Sequence, residues 1–265
     1  MSITLIVIVG INLLLAVVSF FFKWLTISGG IASVIVGSTI FWSLGYGGYF
    51  LLLLFFLSST LLGKVRTRYV VAKEKKEGPR DWAQVAANGV FAVISALLYR
   101  YSGELTSLVM FGASLATATA DTWGTETGLL SETPPVSIRT LRQVEKGSSG
   151  GITPLGTMSS MIGSILIAMS WYSHFAPSFS MQWLFLASIV ALSGIAGAFV
   201  DSYLGATLQG HYWDEENQKL TEWEFKEGKK LELVRGIRFI DNDVVNALSN
   251  LSSLVLASGL SLLVL

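Results

Sequence analysis

Asp121 and Asp201 stand in stretches of the chain that are otherwise apolar or small. A carboxylate within a membrane-length apolar run is costly to bury, and such residues mark functional sites by default. Others gather at the same depth: Glu126 follows Asp121, Asn242, Asp243 and Asn246 open the last apolar run, and Arg80, Gln84 and Asn88 open the fourth. Arg80, Gln84 and Asn88 are four apart and share one helical stripe, as do Asn242, Asn246 and Asn250. Asp121 rides beside Gly112, Ala116, Ala120 and Gly124, and Asp201 aligns with Gly194, Gly197 and Gly205. Small residues let helix backbones approach closely, so both aspartates are expected to face inward. Asp121 and Glu126 are five apart, about 140° round an ideal helix. They serve one ion only if Gly124 breaks the helix; otherwise Glu126 has a separate role.

Carboxylates and amides are oxygen ligands suited to Mg²⁺, which binds through one or two carboxylates plus substrate phosphates. Asp121, Glu126, Asp201 and Asp243 are the carboxylates that gather at this depth. The chain has no cysteine, which removes disulfides and thiolate metal sites. His174 and His211 are isolated and read as surface residues. A third element is the loop from Arg139 to Pro154, which contains Lys146-Gly147-Ser148-Ser149-Gly150-Gly151. Its glycines and serines are expected to expose successive backbone N–H groups, with Thr153 capping the following helix and Pro154 in its first turn. With Lys146 and Arg142 this makes a phosphate cradle at a helix N-terminus. It is not a Walker A motif, and a Gly-Ser loop by itself signals only flexibility.

The elements that must position these residues are membrane helices. Of 265 residues 52% are hydrophobic and 14% charged, with a mean hydropathy of +0.59, against about 25% charged in a soluble domain. The apolar residues gather into runs that repeatedly reach the roughly 20 needed to cross a bilayer. This excludes a soluble enzyme, a nucleic-acid reader and a disordered chain. The N-terminal run lacks a basic start and a small-residue cleavage site, and reads as a retained span.

Eight spans are expected, at about 2–22, 25–45, 47–63, 82–99, 105–130, 154–175, 181–209 and 242–264. The fifth is weak because Thr117, Thr119, Asp121, Thr122, Thr125 and Glu126 crowd its second half; read as a loop, it would leave seven. Alternating eight spans puts Lys23 and the loops 64–81, 131–153 and 210–241 on one face, with 17 of the 18 basic residues and all but Arg100. The positive-inside rule makes that face cytoplasmic, with both termini outside. The whole chain is one integral membrane domain, an all-α bundle in the cell membrane. Lys23 to Ile31 and Lys146 to Ile152 both place a lysine before a Gly-Gly-Ile, and spans 4 and 8 both open with acids and amides. This pattern hints at two parallel four-helix repeats; low-complexity coincidence explains it nearly as well.

The segments Ala-Thr-Ala-Asp-Thr-Trp-Gly-Thr-Glu-Thr-Gly (118–128), Gly-Ser-Ser-Gly-Gly-Ile-Thr (147–153) and Gln84-Val-Ala-Ala-Asn88-Gly89 resemble those of the DUF92 membrane proteins. That family includes the TMEM19-like proteins and the phytyl-phosphate kinases of plants and cyanobacteria. Leu25 to Gly30, Asp201 to Gln209 and Asn242 to Asn246 extend the resemblance over nearly the whole chain. Gly124 and Lys146 depart from the family pattern. The resemblance implies a prenyl-phosphate kinase using CTP, or another nucleoside triphosphate, to convert a prenyl monophosphate such as phytyl, geranylgeranyl or farnesyl phosphate to its diphosphate.

On that reading Asp121, Asp201 and Lys146 are catalytic, Asp121 and Asp201 hold Mg²⁺ on the nucleotide, and Glu126 and Asp243 are further metal candidates. Gly147, Ser148, Ser149, Gly150, Gly151, Thr153, Arg80, Asn88, Asn242 and Asn246 hold phosphates. The partners are the lipid-like substrate, the nucleotide and membrane lipids, without nucleic acid; a homo-oligomer is compatible. Two other classes remain open. A cation- or proton-coupled transporter also carries intramembrane ionisable residues, although no polar path reaches the outer face. A scaffold binding anionic lipid through its basic loops is the third.

Overall fold

A computed structural model describes residues 3–69 and 78–265 of the chain. Lys73, Lys75 and Lys76 of the expected loop 64–81 lie outside the described residues. The helices are α1 (Ile3–Phe21), α2 (Ile27–Tyr69), α3 (Trp82–Ser102), α4 (Leu105–Gly128), α5 (Pro154–Phe175), α6 (Met181–Thr207) and α7 (Asn242–Ser261). Five of them, α2, α3, α5, α6 and α7, are long and apolar enough to cross a membrane.

The 43-residue α2 is not straight. Gly45 has φ 65° and ψ −150°, a region essentially restricted to glycine. The chain folds back there: Lys64 Nζ sits 4.5 Å from the ring of Trp24, which precedes the helix, and Trp24 and Phe56 are 6.3 Å apart edge to face. A straight helix from 27 to 64 would separate these groups by about 55 Å. The break falls between the expected second and third spans.

The stretch expected to be weakest by hydropathy is the centre of the molecule. α4 packs against α2, α3, α5, α6 and α7, and nearly every residue from Ser107 to Ala120 is buried. Protein, not lipid, surrounds it, so it has no need of a hydrophobic exterior. Its threonines satisfy their hydroxyls on their own helix; Thr117 and Thr119 donate to the carbonyls of Ala113 and Leu115 at 2.9 and 2.7 Å. The outer helices show the reverse pattern. Ile27, Ile31 and Ile35 are exposed at four-residue intervals on α2, and Met158, Ile162, Ile165 and Met169 at intervals of three or four on α5, the apolar outer faces of a lipid-embedded bundle.

Caps set the inner ends of the helices. Asp81 forms a capping box with Gln84 at the start of α3. The Thr153 hydroxyl accepts from Gly156 N–H at 3.0 Å, with Pro154 at the first position of α5. Asp241 caps α7 through Val244 N–H at 3.0 Å. The all-α expectation is corrected in two connections. In the 131–153 loop, β1 (Val136–Ser137) pairs antiparallel with β2 (Gly151–Ile152). In 210–241, β3 (His211–Asp214), β4 (Lys219–Thr221) and β7 (Glu232–Arg235) form a sheet in the order β4-β3-β7, while β5 (Phe225–Lys226) pairs with β6 (Lys229–Lys230). Buried residues such as Tyr212 and Asp214 need only a short ladder to satisfy their backbone, and a purely polar loop reading passes over them.

Candidate functional site

The polar residues collect at one end of the bundle, where α4 and α6 finish and α3, α5 and α7 begin. Two cavities lie there. The first, of 460 Å³, runs between α1, both halves of α2, α3 and the inner ends of α4 and α7. Its deep wall is largely apolar, with Leu15, Val36, Leu52 and Phe56, and its mouth carries Lys64, Arg80 and Asn88. The second, of 290 Å³, lies between α4, α5 and α6 under the 146–153 segment. Asp121 and Asn242 line both.

The expected site residues therefore divide between two chambers. Arg80, Asn88, Asn246 and Glu126 line the first. Lys146, Gly147, Ser148, Ser149, Gly150, Gly151, Thr153 and Asp201 line the second. Asp243 lines neither. The phosphate-binding residues expected from the sequence thus fall into two sets, and Asp121 and Asn242 line both cavities.

Local bonding gives several of these residues a definite task. The Arg80 backbone ties the start of α3 to the start of α2, its N–H donating to Trp24 O at 2.9 Å and its carbonyl accepting from Thr26 N–H at 3.0 Å. Its guanidinium lies 5.9 Å from the centre of the Phe56 ring. The Asn88 amide donates to Gln84 O at 3.0 Å. Asn250, deeper on the α7 stripe, accepts from Ser114 at 2.7 Å and binds α7 to α4. Asp201 Oδ2 accepts from the Ser249 hydroxyl at 3.2 Å, which fixes the carboxylate from α7.

α4 is continuous through Gly124, so Glu126 takes the separate role. Its Oε2 lies 2.7 Å from Arg66 Nε on α2. Among the described residues no three carboxylates or histidines form a metal-holding cluster. Asp121 and Asp201 line the second cavity together with Glu222, and carboxylate oxygens are donors of the kind Mg²⁺ takes alongside phosphate oxygens and water.

The phosphate loop is more folded than expected. Ser148 N–H donates to Glu145 O at 3.1 Å and Gly151 N–H to Ser148 O at 2.9 Å, so these two N–H groups close turns instead of lying open. Gly150 has φ 75°, and a Cβ there would run into the Ser202 carbonyl and Ala206 of α6. Glycine is what lets the loop lie directly on that helix.

Sequence reasoning missed Glu222. It lines the second cavity from the 210–241 segment, and its carboxylate accepts a hydrogen bond from the Ser149 hydroxyl. No local pattern marks it, because its partner lies 73 residues away. Lys64 was also missed. It stacks on Phe22 and Trp24 at 5.0 and 4.5 Å beside the first cavity, and the aromatics flanking Lys23 were the available signal. His211 is corrected from a surface residue to a buried one, 5% exposed.

The profile of the integral membrane protein family DUF92 matches residues 10–254. The chain is 30% identical to Protein PGR of Arabidopsis thaliana across 94% of this chain and 93% of that one. It is 33% identical to an uncharacterised membrane protein of Methanocaldococcus jannaschii, covering 68% and 73% of the two chains. A Synechocystis membrane protein, also uncharacterised, is 26% identical over 67% and 69%. No solved structure matches.

Proposed function

The chain belongs to the integral membrane protein family DUF92, and on that premise we propose that it is a prenyl-phosphate kinase, transferring a phosphoryl group from CTP or another nucleoside triphosphate to a prenyl monophosphate. The observation that carries this reading is the meeting of an apolar-walled cavity and a loop-lined cavity at Asp121 and Asn242. The prenyl tail lies along Leu15, Val36, Leu52 and Phe56, with its phosphate toward Arg80, Asn88 and Asn246. The donor phosphates lie beside Lys146 and the 147–151 loop.

An acceptor phosphate oxygen bonds to the γ-phosphorus, the bond from that phosphorus to the β,γ-bridging oxygen breaks, and CDP leaves. Such transfer depends on alignment and charge neutralisation more than on covalent help. The acceptor is already anionic, so no strong base is required. Lys146 neutralises donor charge, while Asn242 orients groups from either chamber. Asp121 and Asp201 would hold Mg²⁺, which supplies charge neutralisation on the donor phosphates.

The same reading has eight spans, both termini outside and the site facing the cytoplasm of the cell membrane. The fold-back at Gly45 supports the span count, and alternating eight spans assigns 17 of the 18 basic residues of the sequence to connections on one side. Two parallel repeats fit as well, since α3 and α7 start from aspartate caps of nearly the same backbone conformation, Asp81 at φ −90°, ψ −177° and Asp241 at φ −94°, ψ −176°.

The test uses purified protein in detergent with Mg²⁺, CTP or ATP, and farnesyl, geranylgeranyl or phytyl monophosphate. Diphosphate product that disappears in Asp121→Asn and Asp201→Asn supports the kinase and its metal pair together. No turnover with any pair, in folded protein, rejects it in favour of a cation- or proton-coupled transporter, measured by flux into liposomes.

A further inference from the structure

A third cavity, of 850 Å³, opens between the 131–153 loop and the β4-β3-β7 sheet. It shares Lys146, Gly147, Ser148, Ser149 and Glu222 with the second cavity, so the Ser149–Glu222 contact forms a common wall. The second cavity lies near the lower limit of small-molecule pockets, about 300 Å³, and the third near the upper one. An extended ligand with a compact anionic end and a larger remainder fits the two in series.

The lining of the third cavity describes that remainder. Along β3, side chains alternate: Tyr212 and Asp214 are buried, while Trp213 is half-exposed and lines the cavity with His211. Trp213 pairs across the ladder with Leu220, also on the cavity wall, and together they give a flat apolar face. Gln143 and Gln218 bring amides to the same space, the Gln218 Nε2 also donating to Glu215 O at 2.8 Å. His211 Nδ1 is 2.8 Å from Gln209 O, an acceptor only, so that nitrogen carries the proton; Nε2 then accepts from Arg235 Nη2 at 3.3 Å. His211 thereby acts as a positioning residue for a guanidinium on the cavity rim.

The geometry points to a nucleoside subsite in this cavity: the base of the phosphoryl donor stacks on Trp213, and its phosphates pass Lys146 and Ser149 into the second cavity toward Asp121. This rests on the kinase reading for the identity of the donor. An aromatic face suits any base, whereas the paired amides suit an edge that offers both donors and acceptors. Lys146, Lys219 and Arg235 offset the charges of Glu132, Glu145 and Glu222, which line the same cavity.

The test is calorimetric titration of the full-length protein in detergent with Mg²⁺, using CTP and, separately, inorganic tripolyphosphate. Stacking on one aromatic contributes enough that Trp213→Ala is expected to weaken CTP binding about ten-fold. Tripolyphosphate, which has no base, keeps its affinity, and Trp213→Phe retains most of the CTP affinity. CTP binding unchanged in Trp213→Ala overturns the subsite while leaving the kinase reading intact. Equal loss of both ligands also overturns it, because the change then acts through the fold of the loop. A wild type that binds neither ligand removes both readings. CTP binding that depends on Trp213, without diphosphate product, upholds the subsite and rejects the kinase.

Discussion

Arg66 on α2 and Glu126 on α4 form an ion pair 2.7 Å long, with side chains only 8% and 14% exposed. The pair clamps the inner end of the folded-back half of α2 to the central helix. Removing one partner from a buried pair is costly, about 3–5 kcal/mol. Glu126→Gln is therefore expected to lower thermal stability in detergent by that order, and Arg66→Met added to it should recover part of the loss. In the double variant the Mg²⁺ dependence of turnover stays as in the wild type. A shift of that dependence to higher Mg²⁺ would instead make Glu126 a metal ligand.

Helical phase already separated Glu126 from Asp121, because five residues on an unbroken helix do not share a face. It did not name Arg66, which comes from a part of the chain 60 residues earlier. The same limit recurs elsewhere. Thr153 and Pro154 signal their cap locally, and the structure has it. The hairpin in α2 sits at a glycine between two apolar runs, which hydropathy detects. The division into two chambers depends on how all seven helices converge, and no spacing within one helix encodes that. Likewise Glu222 reaches Ser149 only because the 210–241 segment folds into a sheet.

Gly147 and Gly150 separate backbone strain from close packing within one loop. Both have positive φ, 94° and 75°. A Cβ on Gly147 would meet only Leu129 Cδ2, at 3.8 Å, whereas one on Gly150 would collide with α6 backbone at Ser202. Gly147→Ala should cost about 1 kcal/mol, the ordinary penalty for a left-handed residue with a side chain. Gly150→Ala should cost more and lift the loop from α6. Limited proteolysis within 139–153 reads the difference: faster cleavage is expected in Gly150→Ala alone, and equal protection in both variants would contradict the docking.

Asp214 gives the β-rich segment a defined acid limit. Its carboxylate accepts from Asn217 Nδ2 at 2.7 Å and from Lys226 Nζ at 2.9 Å. The Asn217 side chain first, and Lys226 next, hold its pKa down at about 2 instead of 3.8. A carboxylate whose pKa falls on folding stabilises the fold above its unfolded value and loses that contribution as pH drops through the folded one. The 214–217 turn should therefore persist at pH 3 and open as the pH falls through about 2. Lys226, raised chiefly by its bond to Asp214, keeps its share until the pH climbs above the ordinary lysine range. A ¹³C titration of the Asp214 carboxyl checks this; a midpoint near 3.8 would show that these bonds are not kept in solution.

Gly45 decides whether α2 is one crossing or two. The described geometry puts Lys64 against Trp24, while a continuous helix would hold positions 27 and 64 about 55 Å apart. Spin labels on Ile27→Cys and Lys64→Cys, in a chain with no native cysteine, should report a separation well under half of that by pulsed electron resonance. Removing Lys64 costs only its stacking on Phe22 and Trp24, so the label does not dismantle the hairpin. Gly45→Ala has open space for its methyl group, and any penalty is purely that of the backbone, about 1–3 kcal/mol. The label distance should then broaden or lengthen as the hairpin loosens. A single long distance in the glycine-containing protein would remove one crossing, put the N-terminus on the side of the basic loops, and withdraw the first cavity, whose walls need both halves of α2.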